Sequence, residues 1–208
     1  MTGKFITIEG IEGAGKSTCM SVAASEIAGR GLGLLQTREP GGTELGESLR
    51  ELLLGHRHQG MAVDTELLLM FAARAEHLQR KILPALGNGH WVLCDRFTDA
   101  TYAYQGAGRG VPTERIATLE SWVQGNLRPD LTLVMDLPVA LGMERAGKRS
   151  APDRFESEAL EFFERIRAGY LEIAAAEPQR VRVIDASRGL PEVTADIAAT
   201  IRRFIDEQ

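Results

Sequence analysis

The sequence is short of cysteine, of excess positive charge and of long apolar runs. It has only 2 cysteines in 208 residues, Cys19 and Cys94. That is too few for a disulfide framework, and neither has companions at the spacing a metal site needs. Both are expected to be free thiols of a reducing compartment, with Cys94 packed inside an apolar run. Against 29 Asp and Glu stand 24 Lys and Arg, a formal net charge of −5. A broad basic footprint for nucleic acid is therefore not expected, although a local basic pocket for a small anion remains open. No apolar run reaches the length of a membrane span. The apolar stretch near the start is short and feeds a glycine loop, unlike a signal peptide. Internal repeats and low-complexity linkers are lacking too. The expectation is a cytoplasmic protein with one domain over residues 1–208, long enough for a sizeable core.

What is present begins with Gly10-Ile11-Glu12-Gly13-Ala14-Gly15-Lys16-Ser17. This is the G-x-x-x-x-G-K-[ST] pattern of a phosphate-binding loop. Its glycines let successive backbone N–H groups turn inward around an anion. A helix beginning near Lys16 aims its positive dipole end at the same place. Lys16 can reach terminal phosphates, and Ser17 can offer its hydroxyl to Mg²⁺. The stretch Lys4–Ile8 reads as a buried strand entering the loop, and Thr18 to Arg30 as a helix leaving it.

A second strand, Gly31 to Thr37, runs into Arg38-Glu39-Pro40-Gly41-Gly42-Thr43. Pro-Gly-Gly forces a turn, and Thr43 is placed to cap a helix ending near Leu54. Arg38 stands where open α/β sheets bind ligands, but it also suits a surface ion pair with Glu39. His56 and His58 lie in a polar loop with nothing to complete a metal site. Apolar spacing predicts one long helix over 66–86. On it Phe71 and Arg74 lie one turn apart and can stack on a flat base and bond its edge. The plainer reading makes Phe71 core and Arg74 an exposed charge.

Trp91-Val92-Leu93-Cys94 is wholly apolar, hence a central parallel strand. Asp95 at its end is positioned to hold Mg²⁺ or its waters, and Arg96 to clamp a phosphate. Thr101, Tyr104 and Gln105 follow on a helix broken by the glycines at 106–110. After a fourth strand (131–135) and a short helix comes a basic segment, 145–155. It suits either a mobile lid closing over phosphates or a solvated loop. A helix over 156–176, a fifth strand over 180–184 and a closing helix over 191–206 complete an α/β pattern. Its economical form is a five-stranded parallel sheet with helices on both faces.

Four segments, in this order, carry a resemblance to bacterial thymidylate kinases: Arg38–Thr43, Asp95-Arg96-Phe97, Ala103–Gly110 and Asp153-Arg154-Phe155-Glu156. The likeness runs from about Phe5 to the last helix. It implies the fold of phosphate-loop kinases with a short mobile lid, and phosphorylation of dTMP by ATP with Mg²⁺. It further implies that Gly10, Gly13, Ala14, Gly15, Lys16, Ser17 and Thr18 hold the ATP phosphates and that Arg188 packs on adenine. Arg38 and Arg96 would bind the dTMP phosphate. Phe71 would stack on thymine, Arg74 would bond its O4, and Thr101 and Gln105 would face its edge. Tyr104 would lie under the sugar, Glu12 near the 3′-hydroxyl, and Asp95 would hold the metal. Some members carry an arginine in the loop at the position of Gly13; others supply it from the lid, where Arg149 matches, with Arg145 and Arg154 as substitutes. A homodimer is implied as well. Two other readings remain open, a kinase for a different nucleoside monophosphate and a nucleotide-gated ATPase switch.

Overall fold

The computed structural model describes residues 3–58, 60–148 and 153–208. Five strands make one parallel sheet: β1 (Phe5–Glu9), β2 (Leu34–Arg38), β3 (Trp91–Asp95), β4 (Leu131–Asp136) and β5 (Val181–Asp185). Their spatial order is β2-β3-β1-β4-β5. In register, Phe5 lies beside Val92 and Ile6 beside both Leu93 and Leu131. Every residue of β1 is buried, as a central strand covered on both faces requires.

Alternation along β1 and β3 sends residues to opposite faces. Ile6, Ile8 and Leu93 join Cys19, Ala23 and Ile27 of α1 (Lys16–Gly29) and Ile197 and Ile201 of α9 (Leu190–Asp206). On the other face Phe5, Val92 and Cys94 pack with Leu78, Ile82 and Phe97. Thr7 and Glu9 share Phe5's side of β1, so two polar groups are buried there.

The other helices are α2 (Glu44–Leu54), α3 (Val63–His77), α4 (Leu83–Gly87), α5 (Thr98–Thr101), α6 (Thr113–Gln124), α7 (Val139–Gly147) and α8 (Leu160–Ala176). Thr43 caps α2, its Oγ1 accepting from the Gly46 N–H at 2.9 Å. The helix expected over 66–86 is not one regular helix. It starts at Val63, loosens into a π turn at Leu78–Ile82 and resumes as α4. Pro84 explains the change. It has no N–H for the carbonyl four residues back, and its ring crowds that carbonyl. The π turn absorbs the mismatch, with the Leu83 N–H reaching Leu78 O. The helix expected from Glu156 starts only at Leu160, because the Asp153 carboxylate takes the N–H groups of Phe155 and Glu156, each at 2.8 Å, into a separate turn. The glycines after Gln105 do not end the helix there: α5 continues as a π segment, Tyr102–Gly108. No described helix is long and apolar enough to cross a membrane.

The C-terminal ends of β1, β2 and β3 therefore lie side by side and open into three loops: 10–15, 39–43 and 96–97. Crevices at strand C-termini are where such sheets take ligands.

Candidate phosphate-transfer site

The first loop has the backbone its glycines allow. Gly10, Gly13 and Gly15 have φ of 132°, 70° and 89°. A Cβ at Gly13 would run into the backbone of Gly142, so no arginine side chain fits that position. Ala14 is buried, Ser17 is exposed on the first turn of α1 and Thr18 is half-buried beside it. Lys16 Nζ donates to the carbonyls of Gly10 at 3.2 Å and Ile11 at 3.1 Å. Burial, and then the Arg96 charge, bring its pKa down to about 8 against the pull of Asp95, Glu12 and Glu9.

The turn after β3 meets this loop. Arg96 has a φ of 70° although it is not glycine. Three contacts hold it there. Its own N–H bonds Ile8 O at 2.9 Å, the Cys94 thiol donates to its carbonyl at 3.0 Å, and the Phe97 N–H donates to Glu9 Oε1 at 2.7 Å. Glu9 also accepts from the Tyr170 hydroxyl at 2.8 Å. Burial, reinforced by Asp99, pushes the Glu9 carboxyl up to about 8. The Arg96 guanidinium bonds Glu12 Oε1 at 2.7 Å and lies 4.6 Å over the Tyr104 ring. Burial works to raise the Glu12 pKa, but Arg96, Lys16 and the Tyr104 hydroxyl together hold it below the usual carboxylate range.

A cavity of about 190 Å³ runs inward from here, from Lys16 and Ser17 past Asp95 and Arg96 to Arg74 and Gln105. Its inner end is built on Glu39, which turns away from Arg38 and into the core, only 5% exposed. The Glu39–Pro40 peptide is cis. Glu39 takes Arg74 Nε at 2.8 Å and bonds His77 Nδ1 at 3.0 Å, and the same histidine bonds Thr37. Arg74 Nη2 donates to Phe97 O at 3.2 Å and Thr101 Oγ1 at 3.0 Å. Its Nη1 is buried without a partner. Gln105 donates to Glu66 at 2.8 Å.

Lys16, Ser17, Glu12, Asp95, Arg96, Thr101, Tyr104, Gln105 and Arg74 are thus brought to one cavity. Arg74 is not the exposed charge of the plainer reading. Arg38 also departs from its expected ion pair: it bonds Glu47 at 2.7 Å and faces a neighbouring depression shared with Ser17 and Asp95. Phe71 does not line the cavity. It packs with Leu67, Val111 and Ile116, and the Arg74 guanidinium lies 4.8 Å over its ring, so it supports Arg74 from behind. Met70 and Phe97 form the apolar wall instead. Arg188 sits after β5 in ion pairs with Asp185 and Asp196, away from this cavity. Arg149 lies outside the described residues. Of its substitutes, Arg154 is committed elsewhere, donating to Leu53 O at 2.7 Å and meeting Glu66 at 2.7 Å, and Arg145 donates to Ala186 O at 2.9 Å.

Besides the inward turn of Glu39, three residues of the site escape a reading of the sequence. Arg50 of α2 lines the cavity and donates to Pro40 O at 2.9 Å. Burial and the charges of Arg38 and Arg96 lower its pKa. Its only sequence signal is two turns of helix after the Thr43 cap. Glu9 and Glu66 are the others, and only their lone acidic character in apolar stretches marks them.

The donor set suits Mg²⁺. Among the described residues no group of three or more His, Cys, Asp or Glu could hold a metal alone. Mg²⁺ needs no such cage, since it keeps waters and substrate phosphates and takes one or two protein oxygens. Asp95 Oδ1 is buried without a partner beside the Ser17 hydroxyl's helix turn, which fits that use.

Known proteins of similar sequence and fold give the family. A family model described as thymidylate kinase matches residues 8–197. A thymidylate kinase of Pseudomonas syringae pv. tomato is 56% identical over 208 residues, all of this chain and 99% of the relative. One of Pseudomonas putida is 58% identical over 206 residues, covering 99% and 98%. The crystal structure of thymidylate kinase from Ehrlichia chaffeensis superposes with a TM-score of 0.77 at 35% identity, covering 97% of this chain and 99% of that one. By fold and by these matches over its whole length, the chain belongs to the thymidylate kinase family.

Proposed function

We propose that this chain transfers the γ-phosphoryl group of ATP directly to the phosphate of dTMP, giving dTDP and ADP for dTTP synthesis. The observation that carries the reading is one continuous cavity, with a phosphate loop at its mouth and the unpartnered Nη1 of Arg74 at its inner end. ATP phosphates would lie on the loop amides of Gly13 to Thr18, with Lys16 exchanging its two carbonyl bonds for them. The dTMP phosphate would meet Arg96 and Arg50, with Arg38 joining by exchanging Glu47 for it. Thymine would lie against Phe97 and Met70, its edge toward Arg74, Thr101 and Gln105, with Phe71 backing Arg74. Tyr104 would support the sugar, and Arg188 after β5 would border the adenine.

Transfer between two phosphates asks for alignment and charge compensation rather than covalent help. The acceptor oxygen is already anionic near neutral pH, so the chain need not supply a general base. Lys16, Arg50 and Arg96 offset the repulsion of two anions as they approach. Glu12 holds Arg96 and Tyr104 in place for that task. Ser17 and Asp95 would hold Mg²⁺, which when bound supplies further positive charge to the ATP phosphates. A lid at about 145–155, carrying Arg149, would close over the phosphates and exclude water.

A homodimer belongs to the same reading. Leu45 and Leu52 of α2 and Leu68 of α3 are exposed apolar groups on two helices that pack together, a surface a second copy would cover. A cytoplasmic site of action fits a reaction fed by ATP and two free thiols.

The test is ADP release with ATP and Mg²⁺ against dTMP, dUMP, dCMP, dGMP, dAMP and no acceptor. Release that depends strongly on dTMP supports the reading. Equal release without any acceptor would point to an ATPase and discard it.

A further inference from the structure

Glu66 lies behind the cavity wall, bonded to Gln105, which lines it. It is 1% exposed on α3. Arg154 Nη2 meets its Oε2 at 2.7 Å, and Arg109 approaches its two oxygens at 3.4 Å and 3.5 Å. Gln105 Nε2 donates to its Oε1 at 2.8 Å. A carboxylate paired with two guanidinium groups only accepts hydrogen bonds. The end of the Gln105 amide that faces Glu66 must therefore be the NH₂. Gln105 lines the cavity, so its carbonyl oxygen is what remains for a bound ligand.

The neighbouring group is fixed in the opposite sense. Arg74 spends Nε on Glu39 and Nη2 on Phe97 O and Thr101 Oγ1, leaving Nη1 as a buried donor. Thr101 lies one helical turn before Gln105, so the two recognition groups are adjacent. The wall thus offers a donor beside an acceptor. A pyrimidine with a 4-oxo group beside an N3–H presents the complement. Cytosine presents the reverse, an amino donor beside a bare ring nitrogen, so donor would face donor and acceptor face acceptor.

We propose that Glu66 is the positioning residue that makes the site select a 4-oxo, N3–H pyrimidine monophosphate over a 4-amino one, by locking the Gln105 amide. This rests on the proposed dTMP kinase activity. Arg154 and Arg109 take part by holding the Glu66 carboxylate in place against Gln105. Arg154 also ties this lock to the end of α2, through its backbone N–H on Leu54 O at 3.1 Å.

The experiment compares kcat/KM for dTMP and dCMP in the wild type and in Glu66→Gln. A glutamine at 66 can donate as well as accept, so the Gln105 amide is free to turn over. The dTMP/dCMP ratio is expected to fall at least about tenfold, the scale of one mismatched buried hydrogen bond, while KM for ATP stays the same. A folded Glu66→Gln protein with the wild-type ratio would overturn the proposal. If that variant does not fold because Arg154 loses its partner, the charge-balanced pair E66Q/R154M removes the orphaned cation, and Arg109 keeps Glu158 at 2.6 Å. The same ratio decides there. A general loosening of the site would lower both activities and raise KM for ATP without changing the ratio, and that too would overturn it. Wild-type protein with no dTMP-dependent turnover would instead remove the kinase reading itself.

Discussion

The Tyr104 hydroxyl reaches both carboxylate oxygens of Glu12, at 2.8 Å and 2.7 Å, and Arg96 shares the first of them. The three side chains come from the phosphate loop, the turn after β3 and the π segment after α5. In the proposed reading they join the two phosphate sites. Removing the hydroxyl takes away a hydrogen bond to each Glu12 oxygen and leaves Arg96 on Oε1. Tyr104→Phe is expected to lower kcat/KM for dTMP about tenfold or more, since a hydrogen bond to a charged group is worth about 1.5–3 kcal/mol. KM for ATP should move little. Steady-state kinetics with each substrate varied in turn checks this, and an unchanged kcat/KM would separate Tyr104 from the site.

Lys16→Ala should leave the fold intact, because the hydrogen bonds of Lys16 Nζ among the described residues go to two loop carbonyls, those of Gly10 and Ile11. It should nonetheless cost about a hundredfold or more in kcat, the scale of losing one group that stabilises transition-state charge. A thermal melt alongside the assay separates the two effects. Near-normal turnover would contradict the role given to the loop.

Two arginines near the basic segment should behave differently. Arg154 is buried on Glu66 and the Leu53 carbonyl, so Arg154→Ala should lower stability by about 3–5 kcal/mol by leaving a buried carboxylate short of a partner. Arg149→Ala should instead lower kcat with little change in melting temperature. Unfolding by urea and kcat measured on both variants test the contrast; the reverse pattern would move the lid arginine to position 154.

Glu9 predicts a pH dependence of stability. Its carboxyl sits near 8 in the folded chain against the usual 4.5, owing to burial and then to Asp99. Between those values the folded protein keeps a proton that the unfolded chain has released. Stability from this group is therefore complete below about 4.5 and is lost as pH rises through about 8. Glu9→Gln should flatten the decline in unfolding free energy between about pH 5 and 8. An identical slope in both proteins would show that Glu9 does not hold this proton.

How much of this was legible in the sequence depends on how local the cause is. The phosphate loop, its strand and its helix follow from glycine spacing within a single turn, and the structure has them where expected. The parallel sheet follows from apolar runs separated by helical spacing. Glu39 was not legible as a core residue. Beside Arg38 it reads as a surface pair, and only Arg74 and His77, some 35–38 residues later, draw it inward. Arg50 and Glu66 escape for the same reason, since their partners sit on other elements. Phe71 has the spacing of a base-stacking residue, but α3 turns it toward Val111 and Ile116. Pro84 is a different case: its missing N–H was visible in the sequence, and the π turn before it is the consequence.

The most direct measurement is a ³¹P spectrum of the protein with ATP, Mg²⁺ and dTMP. The account predicts the signals of dTDP rising together with those of ADP, one for one, with no build-up of inorganic phosphate. ADP appearing with inorganic phosphate, while dTMP stays unchanged, would contradict it.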